Sequence, residues 1–264
     1  MKRIARSVVA AFAAATLLAA CSSNSPSSSG SGGTGSTGGA ITGSITILAA
    51  SSLTGAFTTI AQRFEAAHPG VHVTFSFGAS DVLAAQITSG APADVFASAS
   101  PKTMDTVTKA GDASNPTVFA TNILEIATPP SNPKNVASLT DLTNSSVKVA
   151  LCETHVPCGE VAQKMLRKNN LKVTPATYGA DVKAVLTYVE LNEVDAGIVY
   201  VTDVQAAGSK VKGIPIPASQ NESTSYPIAA LSKSGNLATA NAFKAYVLSS
   251  DGQKVLADDG FGAP

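Results

Sequence analysis

The chain has 264 residues, with 18 basic and 18 acidic side chains, three histidines and three cysteines. A net charge of zero excludes the basic footprint that nucleic-acid binding requires. It also means that any anion must be captured by local hydrogen-bond donors, because bulk attraction is absent.

Lys2, Arg3 and Arg6 form a basic head, and Val8 to Ala20 is apolar except for Thr16. That run is shorter than the roughly 20 residues a bilayer span needs. Residues 1–20 therefore read as a secretory signal peptide. Leu18-Ala19-Ala20-Cys21 resembles a bacterial lipobox, which implies cleavage before Cys21 and diacylglycerol on its sulfur; an ordinary signal peptide with an incidental cysteine is the alternative. The mature chain then holds fifteen basic and eighteen acidic residues, a net charge of −3. Residues 21–43 are the cysteine and a tether made almost wholly of Ser, Gly, Thr, Pro and Asn, too poor in apolar side chains to bury a core. Folding is expected from Ser44, leaving about 220 residues for one large domain or two small ones.

From Ser44 the pattern alternates between strand and helix. Ile45 to Ala50 is a strand. Leu53, Ala56, Phe57, Ile60, Ala61, Phe64 and Ala67 recur at helical spacing, and His68-Pro69-Gly70 ends that helix. Val71, Val73, Phe75 and Phe77 alternate as a second strand. Asp81 to Ser89 is a short helix stopped by Gly90, and Ala93 to Ala99 a buried strand. Ser100-Pro101 opens a helix with proline at its first position, Met104 and Val107 on its inner face and Gly111 at its end. Asn122 to Thr128 is a strand leading to Pro129-Pro130, where the chain leaves one lobe for another. Val147 to Leu151 starts a second run, with helices over Glu160–Lys168 and Asp181–Glu193 and a strand over Ala196–Val201. Gly213 to Gln220 reads as a return crossing. A strand (Tyr226–Leu231) and helices over Leu237–Leu248 and Asp251–Ala257 close the fold. Such alternation implies α/β architecture, a largely parallel sheet with helices on both faces, here in two lobes with a cleft between them.

Twice in the first run a strand passes through small residues into a helix with no cation nearby: Ala49-Ala50-Ser51-Ser52-Leu53 and Phe77-Gly78-Ala79-Ser80-Asp81. A helix start carries unpaired N–H groups and the positive end of the dipole, and a serine adds a hydroxyl donor. Two such corners facing each other would cradle a small anion. The second run repeats the device at Val156-Pro157-Cys158-Gly159 and at Tyr178-Gly179-Ala180-Asp181-Val182, and Gly197-Ile198-Val199-Tyr200 ends a buried strand in a neutral phenol donor. Singly, each has a plain structural reading: a serine at a helix start is usually an N-cap, and Val-Pro-Cys-Gly a turn. The combination points to binding of an anion. Cys152 and Cys158, in an exported chain and flanked by turn residues, are expected to form a disulfide; two free thiols are the alternative. A secreted hydrolase using a serine, or Cys158 with His155, is the rival from another class. It lacks a Gly-x-Ser-x-Gly elbow, and neither metal-ligand spacing nor a phosphate loop appears. The expectation is a protein that is not an enzyme.

The chain resembles the periplasmic molybdate-binding proteins of bacterial molybdate importers. The resemblance runs from about Ser44 to Phe261 and rests on Ala49-Ala50-Ser51-Ser52-Leu53-Thr54, Phe77-Gly78-Ala79-Ser80, Gly90-Ala91-Pro92-Ala93-Asp94-Val95-Phe96, His155-Val156-Pro157-Cys158-Gly159 and Gly197-Ile198-Val199-Tyr200. It implies the two-lobed periplasmic-binding-protein fold of type II, with residues 44–121 and 221–264 as lobe I and residues 122–220 as lobe II. It implies an oxyanion held by Ser52 and Ser80 through N–H and hydroxyl, by the backbone N–H groups of Cys158 and Val182, and by the phenol of Tyr200. Molybdenum would be bound only as molybdate, with no direct metal ligands and no cofactor, and tungstate would be equivalent. The implied partners are an ABC permease and, through the lipid on Cys21, the extracytoplasmic face of the membrane; the chain is expected to be a monomer. Two positions depart from the family pattern: Cys158 stands where a small alanine is usual, and Asp81 where a small polar residue is often found. Asp81 could accept a proton from hydrogen phosphate, so a phosphate- or sulfate-binding protein of the same fold is the alternative. The preferred orientation of Asp81 is outward, in the first helical turn, where a negative charge suits the dipole.

Overall fold

The computed structural model describes residues 41–264. The signal peptide, Cys21 with its lipobox, and the tether through residue 40 lie outside the described residues. The first parallel unit of the sheet is built from β1 (Gly43–Ala50), β2 (Val71–Gly78) and β3 (Val95–Ala97), with β1 central and parallel to both neighbours. Side chains alternate across β1 as a strand requires. Ile45, Ile47 and Ala49 enter a core with α1 (Thr54–Ala67), α7 (Leu237–Leu248) and α8 (Ser250–Asp258), whereas Leu48 enters the opposite core with α2 (Ser80–Thr88) and α3 (Pro101–Lys109). The first of these cores is dense in aromatic rings. Phe57 and Phe64 lie 6.0 and 5.4 Å from Phe243, tilted to edge-on, the arrangement that ring quadrupoles favour.

The second parallel unit comprises β5 (Val149–Cys152), β6 (Thr177–Gly179) and β7 (Ala196–Tyr200), covered by α4 (Pro157–Lys168), α5 (Val182–Glu190) and α6 (Val201–Ala207). Val149, Leu151, Val185, Val189 and Ile198 centre its core. The two units are joined by β4 (Thr117–Thr128), a twelve-residue strand that pairs antiparallel with β9 (Ser223–Ala230) along its first part, and with β7 and β8 (Lys212–Pro215) along its second. Asn221 fastens the crossing: its side chain accepts from the Leu124 N–H and donates to the Leu124 carbonyl.

The expected parallel sheet is thus mixed. Its order is β2-β1-β3-β9-β4-β7-β5-β6, with β8 beside β4. Both ends are parallel, and the centre is antiparallel because the chain enters and leaves the second unit on strands that run opposite to their neighbours. The crossing lies within β4 itself, ahead of Pro129-Pro130. β3 is shorter than the expected Ala93–Ala99. Asp94 and Ser98 at its ends keep backbone hydrogen bonds to Thr46, Leu231 and Pro227, and their side chains add bonds to the Thr46 N–H, the Ser234 hydroxyl and the Ser100 backbone. β6 and α6 are elements that periodicity did not reveal.

Candidate functional site

Five chain corners meet at the carboxyl ends of the parallel strands, the edge where open α/β sheets bind ligands. β1 runs into a single 3-10 turn, Ser51–Leu53, ahead of α1; β2 runs into α2; the loop after β5 enters α4; β6 runs into α5; β7 runs into α6. A small cavity of about 20 Å³ lies among them. It is lined by Ala50, Ser51, Ser52, Gly78, Ala79, Ser80 and Ala99 from the first unit and its neighbours, and by Val156, Pro157, Cys158, Asp181, Val182 and Tyr200 from the second. The structure therefore brings Ser52, Ser80, Cys158, Val182 and Tyr200 to one cavity, and all five are buried.

The first wall offers hydroxyls. Ser80 is the first residue of α2, and its Oγ accepts the Ala99 N–H at 3.0 Å. That contact uses acceptor capacity and leaves the hydroxyl proton for the cavity. Ser52 Oγ lies 2.9 Å from the Tyr226 hydroxyl. Neither helix start is capped by a side chain, so the N–H groups of the first turns stay available.

The second wall offers backbone. Val156 precedes α4 with no side-chain cap, and Pro157 at the first helical position has no N–H, so Cys158 supplies the first donor of that helix. Val182 opens α5, whose N-cap Asp181 accepts the Ala184 N–H at 2.9 Å; the one acid in the lining is thereby engaged with its own helix. The loop entering α4 is closed by a Cys152–Cys158 disulfide with Cα atoms 5.8 Å apart. Gly159 follows, packed so close to the Glu153 carbonyl that a Cβ there would collide with it. With both sulfurs in the disulfide, the Cys158–His155 nucleophile has no thiol.

Tyr200 completes the cavity from the end of β7. Its hydroxyl is buried and has no hydrogen-bond partner among the described residues. Burial, together with the neighbouring Tyr226 hydroxyl and the Asp203 carboxylate, pushes the phenol well above the ordinary tyrosine range, so it stays a neutral donor. Asp203 is fully buried beneath it, accepts the Tyr200 N–H at 3.1 Å and pairs with Lys183 at 2.8 Å. Burial raises the Asp203 pKa and Lys183 opposes that rise.

No lysine, arginine or histidine lines the cavity. Asp81, in the first turn of α2, is not among the lining residues; its Oδ2 stands 3.6 Å from His155 Nε2, which is also 3.4 Å from Glu153. Lys102 of α3 pairs with Glu160 of α4 nearby. Among the described residues there is no cluster of three His, Cys, Asp or Glu side chains able to hold a metal ion.

Sequence reasoning missed the residues behind the lining. Tyr226 read only as the start of a strand, Asn122 as another, and Asp203 lay in an unrecognised helix. Their signal is weak because each acts from a different strand or helix start, at long sequence separation. Only Tyr200 and Asp203, spaced as an N-cap and the third helical residue, carry a local pattern, and tyrosine is an unusual residue for that position.

A family model for bacterial extracellular solute-binding proteins matches residues 45–262. The molybdate-binding protein ModA of Mycobacterium tuberculosis is 40% identical over 248 residues, 94% of this chain and 93% of the relative. ModA of Escherichia coli is 33% identical over 233 residues, covering 83% and 89%. Among solved structures, the periplasmic molybdate-binding protein of Azotobacter vinelandii superposes with a TM-score of 0.74 at 19% identity, over 83% of this chain and 99% of that one, a likeness of fold. The chain accordingly belongs to the bacterial extracellular solute-binding proteins, within the group that contains the ModA molybdate-binding proteins.

Proposed function

We propose that this protein captures molybdate, with tungstate as an equivalent ligand, and delivers it to the permease of an ABC importer. Ser52, Ser80 and Tyr200 donate hydroxyl protons to the oxyanion, and Cys158 and Val182 donate backbone N–H. The observation that carries this reading is the cavity itself. Four buried hydroxyl residues, Ser51, Ser52, Ser80 and Tyr200, and several helix starts converge on a space lined by no cation, with its one acid turned to its own helix. Such a space suits a desolvated anion that needs donors only. The two cores, one around β1 and one around β5, are the two lobes, residues 44–121 with 221–264 and residues 122–220, and they close over the ligand. The chain works as a monomer, exported and held at the extracytoplasmic membrane face by lipid on Cys21, a reading supported by the Leu18-Ala19-Ala20-Cys21 pattern.

Hydrogen phosphate carries a proton that needs an acceptor, and Asp81 lies outside the lining with its Oδ2 beside His155, although its Oδ1 is buried with no hydrogen-bond partner among the described residues. Sulfate needs the same donors as molybdate and differs in size. A competition titration of the purified protein with molybdate, tungstate, sulfate and phosphate tests the reading. Molybdate and tungstate are expected to bind one per chain, and at a hundredfold excess over Kd to stabilise the fold by about 2.7 kcal/mol. A melting temperature raised by phosphate and unmoved by molybdate would overturn it.

A further inference from the structure

The proton of Ser52 has two possible directions, because Ser52 Oγ and the Tyr226 hydroxyl stand 2.9 Å apart and either can donate. Asn122 decides between them. Its Oδ1 accepts the Ile123 N–H at 3.0 Å, which fixes which way the amide faces. Nδ2 is then turned to Thr202 Oγ1 at 2.9 Å and to the Tyr226 hydroxyl at 3.5 Å. An amide NH2 only donates. With Asn122 donating to the Tyr226 oxygen, the Tyr226 proton is available to Ser52 Oγ at 2.9 Å, and when it is given there the Ser52 proton is left for the cavity. Tyr226 is fully buried, and burial holds its phenol far above the ordinary range, so it remains a neutral donor. It does not line the cavity.

We infer that Tyr226, oriented by Asn122, is a positioning residue for anion selectivity: by occupying the acceptor side of Ser52 it makes the cavity reject anions that carry a proton. The inference rests on the reading of the cavity as an oxyanion site. Ser80 is set the same way, but by the backbone N–H of Ala99, which substitution of that residue leaves in place. The Tyr200 hydroxyl makes no hydrogen bond of good geometry among the described residues and has the Tyr226 hydroxyl beside it. Ser52 is thus the hydroxyl whose direction depends on a replaceable side chain. Molybdate and sulfate, both free of protons at neutral pH, would find a donor there, whereas hydrogen phosphate would find its proton facing another proton. Tyr226 governs discrimination by protonation and leaves discrimination by size untouched.

Tyr226→Phe tests this while keeping the ring that packs edge-on against Phe119, Tyr200 and Phe261. Molybdate, sulfate and hydrogen phosphate are titrated into wild type and variant at pH 7, by calorimetry and by thermal protection at millimolar anion. Molybdate is expected to weaken about three- to tenfold, part of the value of a hydrogen bond to a charged group. Sulfate should follow molybdate, and hydrogen phosphate should weaken less or tighten, so the molybdate-to-phosphate ratio falls. A purely structural role would weaken all three alike, and an unchanged ratio overturns the inference. Asn122→Asp gives a second approach if the first variant does not fold. Its carboxylate accepts from Tyr226, draws that proton off Ser52 and turns the Ser52 proton away from the cavity, so the ratio again falls; a ratio held at the wild-type value overturns the inference. Failure of wild type to bind molybdate or sulfate would instead overturn the oxyanion reading, and the inference with it.

Discussion

The two walls of the cavity are built on different principles. The wall from β1 and β2 presents side chains, Ser52, which shares a hydrogen bond with the Tyr226 hydroxyl, and Ser80, which accepts the Ala99 N–H. The wall from α4 and α5 presents backbone N–H groups at Cys158 and Val182, held by a disulfide, by the close packing of Gly159 on Glu153 and by the Asp181 cap. A side-chain donor is lost by deleting one atom. A backbone donor survives any substitution that leaves the chain path alone, so the second wall is open to attack only through its geometry.

The most severe break is Ser52→Asp. It puts a carboxylate into a buried space meant for a dianion, and a buried like charge without a partner is far costlier than a missing hydrogen bond. Binding should be abolished, and a titration with molybdate still showing near-wild-type heat would mean that the 3-10 turn does not face the ligand. Ser52→Ala, Ser80→Ala and Tyr200→Phe come next. Each removes one hydroxyl and keeps the backbone. A hydrogen bond to a charged group contributes about 1.5–3 kcal/mol, so each should weaken molybdate by roughly tenfold to a hundredfold. Equal affinities for wild type and the two serine variants would remove the first wall from the site, and an unchanged Tyr200→Phe would remove the phenol at the end of β7.

These effects fall on residues that were largely legible in sequence. A small-residue corner between an alternating strand and a periodic helix is a local pattern, and Ser52, Ser80, Cys158 and Val182 all sit on one. Helices α1, α7 and α8 were equally legible, because a buried face repeats at helical spacing and glycine, proline or serine marks the ends. The crossing strand was less so. The residues of β4 before Asn122 include an exposed Val118 beside an irregularity in the ladder, which interrupts the alternation. Three-residue β6 is too short for any period, and α6 begins at a tyrosine. Tyr226 and Asn122 were invisible as site residues because their role exists only where strands 104 residues apart in sequence meet.

The second wall responds to a different kind of change. Replacing both Cys152 and Cys158 by serine leaves the N–H of residue 158 in place but frees the loop that carries it. On the chain-entropy model so short a loop contributes only about 2 kcal/mol to stability. The melting temperature should fall modestly and affinity by several-fold, less than for Ser80→Ala. Reduction of the wild-type protein should reproduce both changes. Unaltered affinity after complete reduction, verified by alkylation of two thiols, would show that α4 holds its first turn without the disulfide.

The smallest expected effect on binding is that of Val182→Ala, and it separates the walls most cleanly. Val182 and Ser80 are almost equally buried, at 2% and 1% exposure, and both open a helix at the cavity. The Val182 side chain belongs to the core around β5, so shortening it by two methyls leaves a small void and should destabilise the fold by about 2 kcal/mol. Its N–H keeps its place because the Asp181 cap and the turn of α5 do not involve the deleted methyls. Affinity should therefore change less than threefold while stability falls. Ser80→Ala should do the reverse, losing an order of magnitude or more in affinity with a smaller change in melting temperature, since only the bond to the Ala99 N–H is given up inside the protein. Thermal unfolding without ligand and calorimetry with molybdate, run on the two variants side by side, read the four quantities. Should Val182→Ala lose as much affinity as Ser80→Ala, the second wall would be contributing shape through its side chains, and the division between a side-chain wall and a backbone wall would not hold.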